Sequence, residues 1–158
     1  MSKEGSSTPL PALQQEKAEQ LFDALKQQFP FIKDCYLPTE AGFGGMAILS
    51  IDKQQANQGI DVIDAVLAEF SQHTQMKFVI VCDQDVNVRD WNDVIWAITT
   101  RMDPSRDSQF FDGPHSQLGI DATNKLQGEA TREWGRPIHK DKELVARIDK
   151  IWEQLNIL

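Results

Sequence analysis

The sequence predicts an α/β fold, a layered sandwich with a mixed sheet and helices on both faces. The first observation is the apolar run 78–82, which is rich in β-branched residues and ends in acidic residues. Such a run is typical of a strand buried on both faces. The second is a helical pattern over about 88–100, whose apolar positions share one face: Trp91, Val94, Ile95 and Ile98. The third is the order of the elements, because helices and strands alternate along most of the chain.

The N-terminal half begins with a polar segment. Residues 1–9 are rich in Ser, Gly and charge, and we expect them to be disordered. Residues 10–158 are expected to form a single α/β domain. Apolar spacing predicts a helix over 13–29, which Pro30 ends. Two strands at 32–37 and 46–51 then form a possible hairpin, and a second amphipathic helix follows over about 60–72.

The C-terminal half contains a short strand, a long irregular region and a final helix. Residues 107–111 are predicted to be a strand. Residues 120–137 have little periodicity and many polar groups, so we expect a long loop that is functional or packed against something. Asp141 is the expected N-cap of the last helix. The apolar stripe of that helix comprises Leu144, Val145, Ile148, Ile151, Trp152 and Leu155.

Charge and composition exclude several functions. The 158 residues carry a formal net charge of -8, which argues against nonspecific binding to nucleic acid or to anionic membranes. No apolar run has the length of a membrane span, and the N-terminus has no apolar core of a signal peptide. The only cysteines, Cys35 and Cys82, are expected to be reduced and apolar in character. We therefore expect a cytoplasmic protein.

The candidate chemistry lies where the central strand ends. Asp83, Asp85 and Asp90 can bind a divalent metal with a phosphate-bearing substrate, or they can cap the following helix. Capping is the favoured reading, because carboxylates stabilise the positive end of a helix. The three histidines have no ligand spacing and are expected at the surface: His73, His115 and His139.

A set of basic residues has two possible uses. It can form an anion site near Trp134, or it can pair with the many carboxylates of the chain, which we favour. Its members are Arg101, Lys125, Arg132 and Arg136. No serine-hydrolase or phosphate-loop motif occurs, and the sequence identifies no catalytic, cofactor-binding or metal-binding residue.

The tryptophans suggest where this protein contacts others. Trp91 and Trp152 lie on apolar helical faces and are expected in the core, whereas Trp96 lies off the main stripe. A second apolar face on helix 88–100 fits an oligomer interface or a helix buried on two sides within one molecule. The candidate interface comprises Trp91, Val94, Ile95, Trp96, Ile148 and Trp152.

Several runs resemble one known family. They are KFVIVCDQDVNVRDWNDVIWAITTRMDPSRD at 77–107, LGIDATNK…E…REWGRPI at 118–138, YLP at 36–38 and DKIWEQL at 149–155. Together they resemble the C-terminal domain of the UbiD family, the 3-octaprenyl-4-hydroxybenzoate carboxy-lyases of bacterial ubiquinone biosynthesis. The likeness is specific from Lys77 onwards and weak over 35–76.

The resemblance implies a non-oxidative decarboxylase that uses prenylated FMN, a divalent metal and a monovalent cation. In the family a preceding split-barrel domain holds the cofactor, the metal and the acid–base residues, and this chain has no counterpart of it. Nothing is therefore assigned as catalytic, and we expect this chain to bind no cofactor. The family's C-terminal domain builds the oligomer and helps to enclose the substrate pocket.

The segment 112–117 is shorter than the corresponding family loop, which reaches toward the substrate. Such a shortening fits a domain that no longer contributes to a shared active site. We therefore expect an oligomerisation or partner-binding module without decarboxylase activity on its own. The partner is a second copy or a UbiD-type protein. The alternative is a subunit or remnant of a carboxy-lyase acting on 3-polyprenyl-4-hydroxybenzoate in ubiquinone biosynthesis.

Overall fold

A computed structural model describes residues 12–38, 41, 44–70, 76–112, 115–131 and 141–155 of the chain. These residues contain a five-stranded mixed sheet with the strand order β1-β2-β3-β5-β4. The strands are β1 (Ile32–Tyr36), β2 (Met46–Ile51), β3 (Phe78–Asp83), β4 (Ser108–Phe111) and β5 (Gln117–Ala122). The central three strands, β2, β3 and β5, run parallel, and the outer strands β1 and β4 run antiparallel to their neighbours.

Helices cover both faces of the sheet, as the sequence predicts. They are α1 (Ala12–Gln28), α2 (Gln58–Phe70), α3 (Trp91–Arg101), α4 (Pro104–Asp107) and α5 (Lys142–Leu155). The α/β class with a mixed sheet is confirmed, and the predicted helices and strands recur with bounds shifted by a few residues. The expected disorder of residues 1–9 lies outside the described residues.

Alternation along β3 divides the core into two layers. Val79 and Val81 pack with α1 and α2 on one face of the sheet. Ile80 and Cys82 pack on the other face with α3 and with the loop that precedes it. A parallel strand flanked on both faces has to be apolar on both sides, which is why the run 78–82 does not alternate in polarity.

One strand contradicts the expectation of a long loop over 120–137. Residues 117–122 form β5, which lies inside the sheet between β3 and β4. Gly119 and Asp121 are poor strand formers, so local propensity conceals the strand. The glycine is required by packing, because a Cβ atom at Gly119 would lie 2.3 Å from Cγ2 of Ile63 on α2. The close approach of α2 to β5 therefore requires glycine at position 119.

The helix α3 buries a different face from the one predicted. Val94, Ala97 and Arg101 are buried, whereas Trp91 and Ile95 are exposed. The expectation that Trp91 is a core residue is wrong, and so is the expectation for Trp152 on α5, which is 60% exposed. The buried positions keep helical spacing, but the last of them is an arginine, so a search for apolar residues selects the neighbouring face.

Both cysteines are unpaired, as expected. Burial raises the pKa of each thiol, Cys35 and Cys82, to about 12. Because the thiolate is the reactive form, both side chains act as small apolar residues. Within the described part of the chain, no helix is both long and apolar enough to cross a membrane.

Replacement of Gly119 by alanine should destabilise the domain by roughly 1–3 kcal/mol, because the new methyl group overlaps Ile63. Urea denaturation of Gly119→Ala, Ile63→Ala and the double variant measures this effect. If the overlap is the cause, the free energy of unfolding decreases less in the double variant than the sum of the decreases in the two single variants. Strict additivity would contradict the packing explanation.

Candidate functional site at the carboxyl ends of the parallel strands

Polar side chains collect where the three parallel strands end. Asp52 and Lys53 follow β2, Asp83 ends β3, and Thr123 and Asn124 follow β5. The carboxyl ends of parallel strands meet at one edge, which is where α/β proteins most often bind ligands. We call this the carboxyl edge of the sheet.

Arg101 is the central cation of this edge, and its side chain is only 5% exposed. Its Nη1 atom donates to Oδ2 of Asp83 at 2.9 Å and to Oδ1 of Asp85 at 2.8 Å. Its Nη2 atom donates to Oδ2 of Asp85 at 2.6 Å, so Asp85 is bound through both oxygens. The guanidinium carbon lies 4.8 Å from the ring centroid of Trp96, a cation–π contact. Arg101 thus joins α3 to the end of β3.

Asp83 also connects β3 to the segment after β5. Its Oδ2 atom accepts a hydrogen bond of 2.6 Å from the backbone N–H of Asn124. Burial raises the pKa of Asp83, against the lowering influence of that N–H group and of Arg101. The N–H group and Arg101 therefore both favour the charged form of Asp83, against the effect of burial.

A second buried group of charges is centred on Lys125, whose side chain is almost completely buried. Its ammonium group donates to the carbonyl of Asp121 at 3.0 Å and lies 3.3 Å from that residue's carboxylate. It also lies 3.5 Å from Asp107, which Arg106 binds from the other side. Burial alone would raise the pKa of Asp107. The hydrogen bonds from Arg106 and the Asp103 backbone, together with the charge of Lys125, outweigh burial, so the pKa of Asp107 is lowered overall.

The third pair joins the end of β2 to a turn beyond β5. Lys53 lies 2.8 Å from Oε2 of Glu129, and its side chain is only 2% exposed. Lys53 also donates to Oγ1 of Thr123 at 3.0 Å and to the carbonyl of Asn124 at 3.1 Å. Glu129 accepts a further hydrogen bond of 2.9 Å from the backbone N–H of Asn57, just before α2.

The start of α2 is closed by an internal carboxylate. A Cβ atom at Gly59 would lie 2.5 Å from the carboxyl carbon of Asp121, so only glycine allows this contact. Asp121 is also held by the N–H and hydroxyl groups of Thr123, at 2.9 and 2.5 Å. The N-terminus of a helix attracts anions, and here residues of the chain itself occupy that position.

The three acidic candidates have two different roles, and among them the cap of α3 is Asp90. Asp90 is the N-cap of α3, with its side chain accepting from the N–H of Asn92 at 2.9 Å. Asp83 and Asp85 instead bind Arg101, which lies at the other end of that helix. Asp141 accepts hydrogen bonds from Glu143 and Leu144 and thus caps α5, as predicted.

The basic candidates that are described pair with carboxylates, as favoured. Arg101 and Lys125 do so, whereas Arg132, Arg136 and the neighbouring Trp134 lie outside the described residues. His115 is exposed, and His73 and His139 also lie outside the described residues.

The six interface candidates differ in exposure. Val94 is fully buried in the core and cannot contact a partner, because it faces the sheet from α3. The other candidates are exposed: Trp91, Ile95, Trp96, Ile148 and Trp152. Trp96 is in addition partly engaged by Arg101.

Five residues of the charge network were not identified from the sequence. They are Lys53, Arg106, Asp107, Asp121 and Glu129. Lys53 had a recognisable signal, because it follows the apolar strand β2 just as the acidic residues follow β3. Asp121 required recognition of β5, and Glu129 is paired across 76 positions, which local sequence does not reveal.

A family model described as the 3-octaprenyl-4-hydroxybenzoate carboxy-lyase C-terminal domain matches residues 16–131. The chain belongs to this UbiD C-terminal domain family. The match covers all five strands and the whole charge network, so these ion pairs lie within the UbiD-type domain itself. The helix α5 lies beyond the matched residues.

Solved structures of UbiD-class decarboxylases share this fold. An evolved dimeric form of HmfF from Pelotomaculum thermopropionicum, in complex with prFMN, is 28% identical with a TM-score of 0.64, over 79% of this chain and 27% of that one. Vanillic acid decarboxylase from Sedimentibacter hydroxybenzoicus, in closed form, is 22% identical with a TM-score of 0.73, over 86% and 31%. Apo 3,4-dihydroxybenzoic acid decarboxylase from Klebsiella pneumoniae is 22% identical with a TM-score of 0.61, over 81% and 31%.

This chain spans less than a third of the length of these three structures. The residues at its carboxyl edge do not fit a flavin phosphate, because the buried cations Lys53, Arg101 and Lys125 are already bound to carboxylates. Among the described residues, no group of three or more His, Cys, Asp or Glu side chains is arranged to hold a metal ion. The described cations of this edge are thus paired with carboxylates of the chain itself.

Replacement of Arg101 by methionine should destabilise the domain by about 3–5 kcal/mol, because it leaves Asp83 buried without its cation. The matched control is Arg89→Met, which removes an exposed pair with Asp34 and should cost about 0–1 kcal/mol. Urea denaturation of both variants measures the difference. Equal losses would contradict a special role for the buried pair.

The lowered pKa values of Asp107 and Glu129 predict a loss of stability in acid. A carboxyl group whose pKa is depressed in the folded state stabilises the protein above its unfolded pKa, and that contribution disappears as the pH falls through the folded value. The free energy of unfolding should therefore decrease from about pH 5 toward pH 3. In Asp107→Asn the decrease should be smaller, whereas the exposed Asp112→Asn control should follow the wild type; identical slopes in all three proteins would refute the assignment.

Proposed function

We propose that this UbiD-type domain is an oligomerisation or partner-binding module without decarboxylase activity on its own. Its partner is a second copy of the chain or a polypeptide that carries a UbiD-type flavin domain. The module acts in the cytoplasm, where its two unpaired thiols remain reduced.

The exposed apolar stripe of α5 is the observation that carries this proposal. Leu144, Val145, Ile148, Ile151 and Trp152 are all exposed, although they recur at helical spacing along one face. A solvated helix needs no such stripe, and contiguous exposed apolar surface usually marks a contact site. Trp is also among the residues that contribute most to binding energy at protein interfaces.

A second apolar surface lies on the sheet, at the end opposite the carboxyl edge. Met46, Phe78, Leu118 and Phe110 are successive register partners across β2, β3, β5 and β4, so their side chains share one face. Phe110 is 80% exposed and Phe78 is also exposed. Sheet faces in α/β proteins are normally covered by other layers, so this row supports a partner that supplies the missing cover.

The carboxyl edge supports the same proposal by a separate argument. Its cations and carboxylates are used in pairing with each other, as the bonds of Arg101, Lys125 and Lys53 illustrate. A catalytic site requires groups that can reach a substrate. The functional surface of the domain is then the apolar exterior.

A second candidate function is that of a carboxy-lyase subunit, acting on 3-polyprenyl-4-hydroxybenzoate together with a flavin-bearing polypeptide. The likeness to HmfF, whose structure is described as a complex with prFMN, favours it. The domain would then form part of the wall of a shared pocket. Turnover with 3-polyprenyl-4-hydroxybenzoate would appear only after the flavin-bearing polypeptide is added.

Substitution on the stripe of α5 should abolish association, because burial of the apolar face drives it. Sedimentation velocity at tens of micromolar compares the wild type, Ile148→Ser and Lys150→Ser. Lys150 lies on the polar side of the same helix, so Lys150→Ser should associate like the wild type. A wild-type chain that is monomeric and also fails to bind a full-length UbiD-class enzyme would refute the module.

A further inference from the structure

Residues 126–131 form a strap across the carboxyl edge of the sheet. The chain turns there through a hydrogen bond of 3.1 Å from the N–H of Glu129 to the carbonyl of Leu126. Gly128 adopts a φ of +94°, and a Cβ atom there would meet nothing within 4 Å. Leu126, Gln127 and Gly128 are exposed. The strap is therefore held by little apolar burial.

The carboxylate of Glu129 fastens the strap. Its Oε2 atom lies 2.8 Å from the ammonium group of Lys53 and accepts a bond of 2.6 Å from the N–H of Leu126. Its Oε1 atom accepts a bond of 2.9 Å from the N–H of Asn57, before α2. Three donors thus converge on one carboxylate whose side chain is 8% exposed. Within the described residues, the strap's hydrogen bonds to the rest of the domain pass through Glu129.

Two of the three donors belong to the framework of the domain, not to the strap. Lys53 also donates to Thr123 Oγ1 and to the carbonyl of Asn124, and both of these acceptors lie outside the strap. Asn57 is held in a left-handed conformation, with a φ of 66°, where it precedes α2. Lys53 and Asn57 therefore form a preorganised cradle for a carboxylate, which the strap fills with its own side chain.

We propose that the strap opens locally as a unit and that Glu129 is its release point. Loss of the carboxylate frees residues 126–131 while the sheet and α2 stay folded. The cradle left behind accepts a small carboxylate, because an ammonium group and a helix-terminal N–H bind such anions together. The strap is then an internal occupant of an anion cradle at the edge where related folds bind ligands.

Hydrogen exchange measured by mass spectrometry tests the local opening. In Glu129→Gln and in Lys53→Met, the amides of the strap should exchange roughly tenfold to a hundredfold faster, as expected for loss of a charged hydrogen bond. The amides of β3 and α2 should keep their protection. The matched control is Asp52→Asn, which alters the exposed pair with Lys33 at the same end of β2 and should leave the strap unchanged.

Two outcomes would overturn the proposal. Either the strap amides exchange as in the wild type, or those of β3 accelerate by the same factor, which indicates global unfolding. If a variant does not fold, the wild type itself decides the question. Strap amides that open locally exchange at a rate independent of low urea concentrations, whereas amides exposed by global unfolding respond strongly to urea.

Formate tests the cradle separately. In Glu129→Ala, sodium formate should slow exchange at the N–H of Asn57, whereas sodium chloride at the same ionic strength should not. In the wild type, formate should have no effect, because Glu129 already occupies the position. Equal effects of the two salts in the variant would reject the cradle. None of these measurements depends on partner binding.

Discussion

The positive charge of Arg101 is buried at the point where the parallel strands end. Several residues of the carboxyl edge stabilise that charge. Desolvation of a guanidinium group costs several kcal/mol unless paired acceptors surround it. Asp83 supplies one acceptor from the end of β3, Asp85 supplies two from the following turn, and Trp96 covers the cation with its ring. Because Asp83 also binds the N–H of Asn124, the same charge orders the segment after β5.

Charged side chains of the carboxyl edge bind each other, so fewer of them are available to a ligand. In open α/β sheets, the carboxyl ends of the strands provide free backbone and side-chain groups for a ligand. Here Asp121 lies against the start of α2, and Glu129 binds the N–H of Asn57 and the ammonium group of Lys53. Ion pairs of this kind fix the relative positions of β2, β3, β5 and the helices. These buried ion pairs give the described part of the domain an internal framework of charges.

The exposed surfaces follow from the same architecture. The helix α3 directs Val94 and Ala97 at the sheet and ends on Arg101, so Trp91 and Ile95 point outward. The row from Met46 to Phe110 lies at the opposite end of the strands from Arg101, and its two phenylalanines, Phe78 and Phe110, are exposed. With the stripe of α5, the described residues thus present exposed apolar side chains at two places.

The sequence by itself determined the class of the fold, the helix α5 and the strand β3, because hydrophobic periodicity and an apolar run are local signals. It also determined the caps Asp90 and Asp141, whose bonds reach only two or three residues. Only the tertiary structure decided that Gly119 and Asp121 belong to a central strand, since Ile63 and the start of α2 impose those residues. It also decided that Asp83 serves Arg101 and that Glu129 fastens the strap, because a buried charge is stabilised by whichever partner the fold brings to it.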